Sequence, residues 1–181
     1  MTLLSRVRRA TVSALAMLFV AASFPAFAQD EPQQFNAFAV IQANGTIVKT
    51  AEKESMIVAT LSGAFFVETD EGPVPSGSIA CPGMVRVDLD TSHQTGSGAC
   101  SFTALDGATS WGEWQCEGYN LVGCRGPFKL NGGTGRLAGI TGEATMIWRP
   151  SSHEMHKQLD GSVLANATGI LIWRDFKLTK K

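Results

Sequence analysis

The stretch Lys129-Leu130-Asn131-Gly132-Gly133-Thr134-Gly135-Arg136-Leu137-Ala138-Gly139-Ile140-Thr141-Gly142 sets five glycines among apolar and β-branched residues. Glycines at this density mean that the backbone passes through positive φ, or lies against other backbone, several times in succession. The flanks decide between two architectures. A dinucleotide-binding turn needs a strand before it and an amphipathic helix after it, so that the helix N-terminus meets a pyrophosphate. Here the sequel Ile140-Thr141-Gly142-Glu143-Ala144-Thr145-Met146-Ile147-Trp148 continues into a strand pattern. Ala138 also stands where the third glycine of G-x-G-x-x-G would fall. The stretch therefore reads as the tight corner of a small closed β-barrel, with Gly132, Gly133, Gly135, Gly139 and Gly142 as its turn residues.

Outward from this corner the chain reads as strands and turns. Phe35 to Gln42 and Thr46 to Thr50 flank Asn44-Gly45, a two-residue hairpin signal. Ala51 to Glu54 is a charged connection, and Ser55 to Thr69 is a long β-branched and aromatic run in which Gly63 suggests a bend or bulge. Asp70 to Ser78, with Pro73 and Pro75, reads as a loop. From Met84 the alternation is clean: Val85, Val87 and Leu89 face one way, Arg86, Asp88 and Asp90 the other. Ala99 to Leu105, Thr109 to Cys116, Gly126 to Leu130, Glu143 to Arg149, part of Lys157 to Leu164, and Thr168 to Leu178 complete the predicted strands. Turn signals recur about every ten residues and no helical period is sustained, the pattern of an all-β sandwich or barrel.

Residues 1–28 read as a leader to be removed before folding. Arg6, Arg8 and Arg9 precede the apolar run from Ala14 to Ala22, and Ala26-Phe27-Ala28 is a small-residue cleavage site. The apolar run falls short of the about 20 residues a bilayer span needs. The expected mature chain is residues 29–181, one domain, periplasmic or secreted. Loss of three arginines and no carboxylates moves the formal charge from −1 to −4. That balance leaves no electrostatic footprint for nucleic acid and no basic helix for a membrane surface.

Cys81, Cys100, Cys116 and Cys124 are an even set in an exported chain, so they read as two disulfides. Loop geometry favours Cys116 with Cys124, which flank a seven-residue loop, and hence Cys81 with Cys100. The rival is Cys100 with Cys116, across a turn at Asp106-Gly107. No C-x-x-C pair points to zinc, and neither a metal nor a cofactor is expected.

The motif from Gly132 to Gly142 matches a G-G-T-G-[RK]-[FL]-x-G-[IA]-x-G pattern, with Phe128-Lys129-Leu130 before it and a strand after it. In this the chain resembles the allene oxide cyclase-like and dirigent-like barrel families, which include many exported bacterial proteins. The resemblance covers about Cys81 to Trp148. It implies a single antiparallel barrel of about eight strands, calycin-like, whose interior is filled by side chains or holds one small ligand. It also implies a homo-oligomer, in particular a trimer.

The candidate chemistry is sparse. Alternation in Trp111-Gly112-Glu113-Trp114 puts Trp111 and Glu113 on one face and Trp114 on the other. If the first face lines the lumen, a carboxylate beside an indole in a dry pocket is a candidate general acid or base. Arg86 is the second catalytic candidate, and Trp111, Glu113, Arg86 and Glu143 are the candidate ligand contacts. A solvated outer face is the favoured reading of both Glu113 and the Arg86, Asp88, Asp90 set. His153-Glu154-Met155-His156 is not H-E-x-x-H and reads as an exposed loop. The four tryptophans are core area first and a stacking surface second. No Ser, His and Asp set with a nucleophile elbow is present. The favoured reading is an exported barrel binding a small apolar or aromatic molecule. The alternatives are a cyclase- or dirigent-like enzyme steering a reactive intermediate, and a structural barrel with no ligand.

Overall fold

The computed structural model describes residues 33–159 and 163–180. The leader expected over residues 1–28 lies outside the described residues. Eight strands follow one another in chain order: β1 (Gln33–Ala51), β2 (Glu54–Thr69), β3 (Gly72–Asp88), β4 (His93–Ala104), β5 (Thr109–Tyr119), β6 (Gly123–Gly133), β7 (Ile140–Lys157) and β8 (Val163–Lys180). Each pairs antiparallel with the next, and β8 returns to pair with β1, so the sheet closes into an up-and-down barrel without a free edge. The glycine stretch is a corner of that barrel. A single 3₁₀ turn, Gly135–Leu137, joins β6 to β7, with Gly135 at φ 57° and Gly139 at φ 77°, conformations that disfavour any residue with a Cβ.

Three local expectations are corrected. Asn44-Gly45 is not a turn: both residues run inside β1, opposite Thr60 and Ala59 on β2, and the hairpin falls instead at the charged Glu52-Lys53. Gly45 serves close approach, since a Cβ there would lie 2.8 Å from Ala59 Cα. The segment from Asp70 to Ser78 is not a loop, because β3 resumes at Gly72 after a two-residue turn. Its prolines are tolerated because β4 pairs with β3 only from Gly77 onward, leaving Pro73 and Pro75 on an overhang with a single neighbour. Finally, Gly63 stays in register with Ile41 and Ile79, and the bulge lies two residues later, between Phe65 and Phe66.

Period-two alternation decides which side chains enter the barrel. On β5 Ser110, Gly112, Trp114 and Cys116 are buried, while Trp111, Glu113, Gln115 and Glu117 are exposed. The mid-section is filled by an aromatic partition. Phe65, Phe102, Phe128 and Trp173 meet edge to face at centroid distances of 5.1 to 5.9 Å. Trp173 is fully buried and Phe128 is 1% exposed, and each such side chain contributes about 1.5–3 kcal/mol of transfer free energy. The Nε1 of Trp173 has no hydrogen-bond partner among the described residues.

Both favoured disulfides are present. Cys81–Cys100 ties β3 to β4, and Cys116–Cys124 ties β5 to β6, with Cα separations of 4.0 and 5.4 Å. Two such bonds persist in an oxidising environment, and no helix among the described residues is long and apolar enough to cross a membrane.

At the corner, Arg136 Nε donates to Asp106, which also accepts a 3.1 Å hydrogen bond from the Ala108 amide. The Ala108 amide and then Arg136 hold the Asp106 carboxyl below its ordinary value of 3.8. Because the folded pKa is the lower one, ionised Asp106 favours the folded state above pH 3.8, and that contribution fades as pH falls through the folded value. A ¹³C carboxyl titration is expected to place the Asp106 midpoint below 3.8. In Arg136→Gln the midpoint should rise only part of the way back, since the Ala108 amide still donates.

Candidate functional site

At the barrel end carrying the β1–β2, β3–β4 and β5–β6 hairpins the interior is not filled. An open-mouthed cup of about 90 Å³ lies above the aromatic partition. It exists because one wall is built from small residues. Ala43 pairs with Ala167, Gly45 with Ala165, and Gly45 with Ala59, all on the inward register of β8, β1 and β2. The remaining lining is large, with Trp114 of β5, Met146 and Trp148 of β7, and Leu171 deeper on β8.

Trp114 has a flat seat. Its indole lies over Gly83, Gly96 and Gly98 of β3 and β4, where an added Cβ would lie 2.9 Å from Cη2, 3.2 Å from Cζ3 and 2.8 Å from Cε2 respectively. The ring thus occupies the volume that three side chains would otherwise take, and its Nε1 is buried without a partner. Both cysteines of the Cys116–Cys124 bridge line the same cup. That bridge holds the tip of the β5–β6 hairpin, whose Asn120 and Leu121 stand at the mouth. Leu121 takes φ 65°.

One polar side chain is set deep in this apolar lining. Gln94 of β4 is only 6% exposed and lines the cup. Its carboxamide, with two donors and an acceptor, makes no side-chain hydrogen bond among the described residues and is not one of the sealed polar groups, which are the indole nitrogens of Trp114 and Trp173, so it opens onto the cup. His153, Asn166 and Asn120 are the other polar residues of the lining. No Asp, Glu, Lys or Arg lines the cup among the described residues, so the arrangement suits holding a neutral molecule better than moving protons.

The sequence candidates lie elsewhere. Trp111 is 45% exposed, and Glu113 shares its outward face on β5. Arg86 also points outward, bridging to Glu54 Oε1 at 3.2 Å. Glu143 is on the outer face of β7, opposite Lys129 and Lys177. The condition under which Trp111 and Glu113 would line a lumen is therefore not met: the alternation is right, but the buried phase is that of Trp114. Of the tryptophans, Trp114 and Trp173 are core and Trp111 is not. His153, expected in an exposed loop, is on β7 and faces the cup; a one-residue shift between Pro150 and Ser152 sets its register. The inward phase is written in the sequence: Ala37, Ala39, Ala43 and Gly45 on β1 and Ala165, Ala167 and Gly169 on β8 set small residues at period two, which makes room for large side chains opposite and, at the Ala43 end, for the cup.

No family model matches the chain, and no curated protein matches it. Among solved structures, the pterocarpan synthase dirigent protein GePTS1 is similar at 9% identity with a TM-score of 0.31, over 88% of this chain and 100% of that one. The function is accordingly read from this chain's own side chains.

Proposed function

We propose that the protein is an exported binder of a small, mostly apolar molecule with one hydrogen-bonding group, held in the cup with that group against Gln94. The observation that carries this reading is the unpartnered Gln94 carboxamide in a lining of alanine, leucine and tryptophan. Ligand sites have this composition, a predominantly apolar wall and few placed polar groups. The ligand's polar group would return the hydrogen bond that Gln94 lacks, and its body would displace water from the Trp114 and Leu171 walls.

Phenol and toluene, equal in shape and differing in one hydroxyl, test this by ¹⁵N NMR titration. Phenol is expected to shift the Gln94 side-chain amide saturably and to bind more tightly than toluene by roughly five- to tenfold, the worth of one neutral hydrogen bond. Gln94→Leu should remove that preference. Ala167→Trp, which fills the cup from its small wall, should abolish binding of both. Shifts confined to residues outside the cup, or binding unchanged in Ala167→Trp, would overturn the proposal.

A further inference from the structure

The opposite end of the barrel carries a second cup, of about 200 Å³, below the aromatic partition. Phe65 and Phe102 belong to the partition and form its floor, while the stacked pair Phe35 and Phe176, 5.2 Å between centroids, forms a wall. Two features make it more than a gap in packing. Ser110 is 5% exposed and lines the cup, and its hydroxyl, which bonds to no side chain among the described residues, is not sealed in the core but accessible from the cup. Arg136, on the glycine corner, is the single charged residue of the lining among the described residues.

Arg136 spends only Nε on Asp106, which leaves the terminal nitrogens of a planar fork suited to a carboxylate. Lys180 brings a second cation to the same place, its Nζ donating to the Arg136 carbonyl oxygen at 3.3 Å. Arg136 and Lys180 thus place two cations beside Asp106 on this side of the rim, while the β2–β3 turn carries Asp70 and Glu71 at the same end of the barrel. An aromatic cup with a hydroxyl in its wall and the Arg136 fork at its mouth suits a molecule with an apolar ring at one end and an anion at the other.

We infer that this second cup is a separate binding site for small aryl-alkyl monocarboxylates, with the ring on Phe35, Phe102 and Phe176 and the carboxylate on Arg136. The proposal does not rest on the Gln94 cup, because the partition separates the two.

The test is calorimetric titration of the full chain with 3-phenylpropanoate and with uncharged 3-phenylpropan-1-ol. The acid should bind at least tenfold more tightly than the alcohol, and Arg136→Gln should erase the difference. Asp106→Asn, which keeps Arg136 and releases it from its partner, should tighten binding of the acid. In Ala167→Trp, with the first cup filled, the acid should bind as before. Equal affinity for acid and alcohol, or weaker acid binding in Asp106→Asn, would overturn the inference. Loss of acid binding in Ala167→Trp would also overturn it and would assign the acid to the first cup, leaving the Gln94 reading intact.

Discussion

Gly98→Ala is expected to destabilise the protein by about 3 kcal/mol, although replacing glycine by alanine inside a strand ordinarily helps by about 0.5–1 kcal/mol. The sign reverses because this position has no room. A methyl group at Gly98 would press into the Pro82 carbonyl oxygen on β3 and lie 2.8 Å from Trp114 Cε2 and 2.7 Å from Gly83 Cα. Backbone on one side cannot yield without parting β3 from β4, and the indole on the other side is 5% exposed with nowhere to go but the cup. For a domain of this size the melting temperature should fall by about 6–12 °C. The fall should come with a red shift of tryptophan emission as Trp114 leaves its seat. A stability equal to or above that of the unaltered protein would mean that the indole does not lie on these glycines.

Replacing Cys81 and Cys100 together by alanine should cost about 3 kcal/mol from loop-closure entropy alone, since the bond spans 19 residues. Removing Cys116–Cys124, which spans 8, should cost about 2.5 kcal/mol on the same reasoning. The first pair should exceed the second by about this difference, because all four cysteines are buried in the same core and truncation of either pair leaves a void. Chemical denaturation of the two double variants checks the order. The second pair has a distinct signature: it holds Asn120 and Leu121 at the cup mouth, so its loss should speed ligand exchange in the first cup beyond any effect on stability.

The barrel was legible because its signals are local. Gly132 to Gly142 announces a corner wherever it falls, and Val85 and Val87 against Arg86 and Asp88 announce a half-buried strand from spacing alone. Cys116–Cys124 was legible for the same reason, closing a seven-residue loop, and Cys81–Cys100 followed as the remaining pair. The lumen was not, because alternation gives two faces without saying which is inner. Trp111 with Glu113 and Trp114 with Cys116 fit a strand equally well. Only closure of the sheet, which needs β8 beside β1 across the whole chain, puts Trp114 on the inside. Asn44-Gly45 misled for a related reason: a preference for turns yields when neighbouring strands supply a partner for each backbone group. The sites suffered most, since Gln94 and Ser110 stand out only once burial shows them without partners.

The order of pairing has a bearing on how the molecule is made. Every strand meets its predecessor, and each disulfide links consecutive strands, so a chain emerging from its N-terminal side can build hairpin after hairpin without exchanging a thiol partner. The ring itself waits for the last segment, because Trp173 and Leu171 of β8 complete the interior and only β8 can satisfy the open flank of β1. Until then the sheet is an unfinished surface with a raw edge at each side, prone to join a neighbour's. Truncation within β8 is therefore a change to assembly as a whole rather than the trimming of a tail.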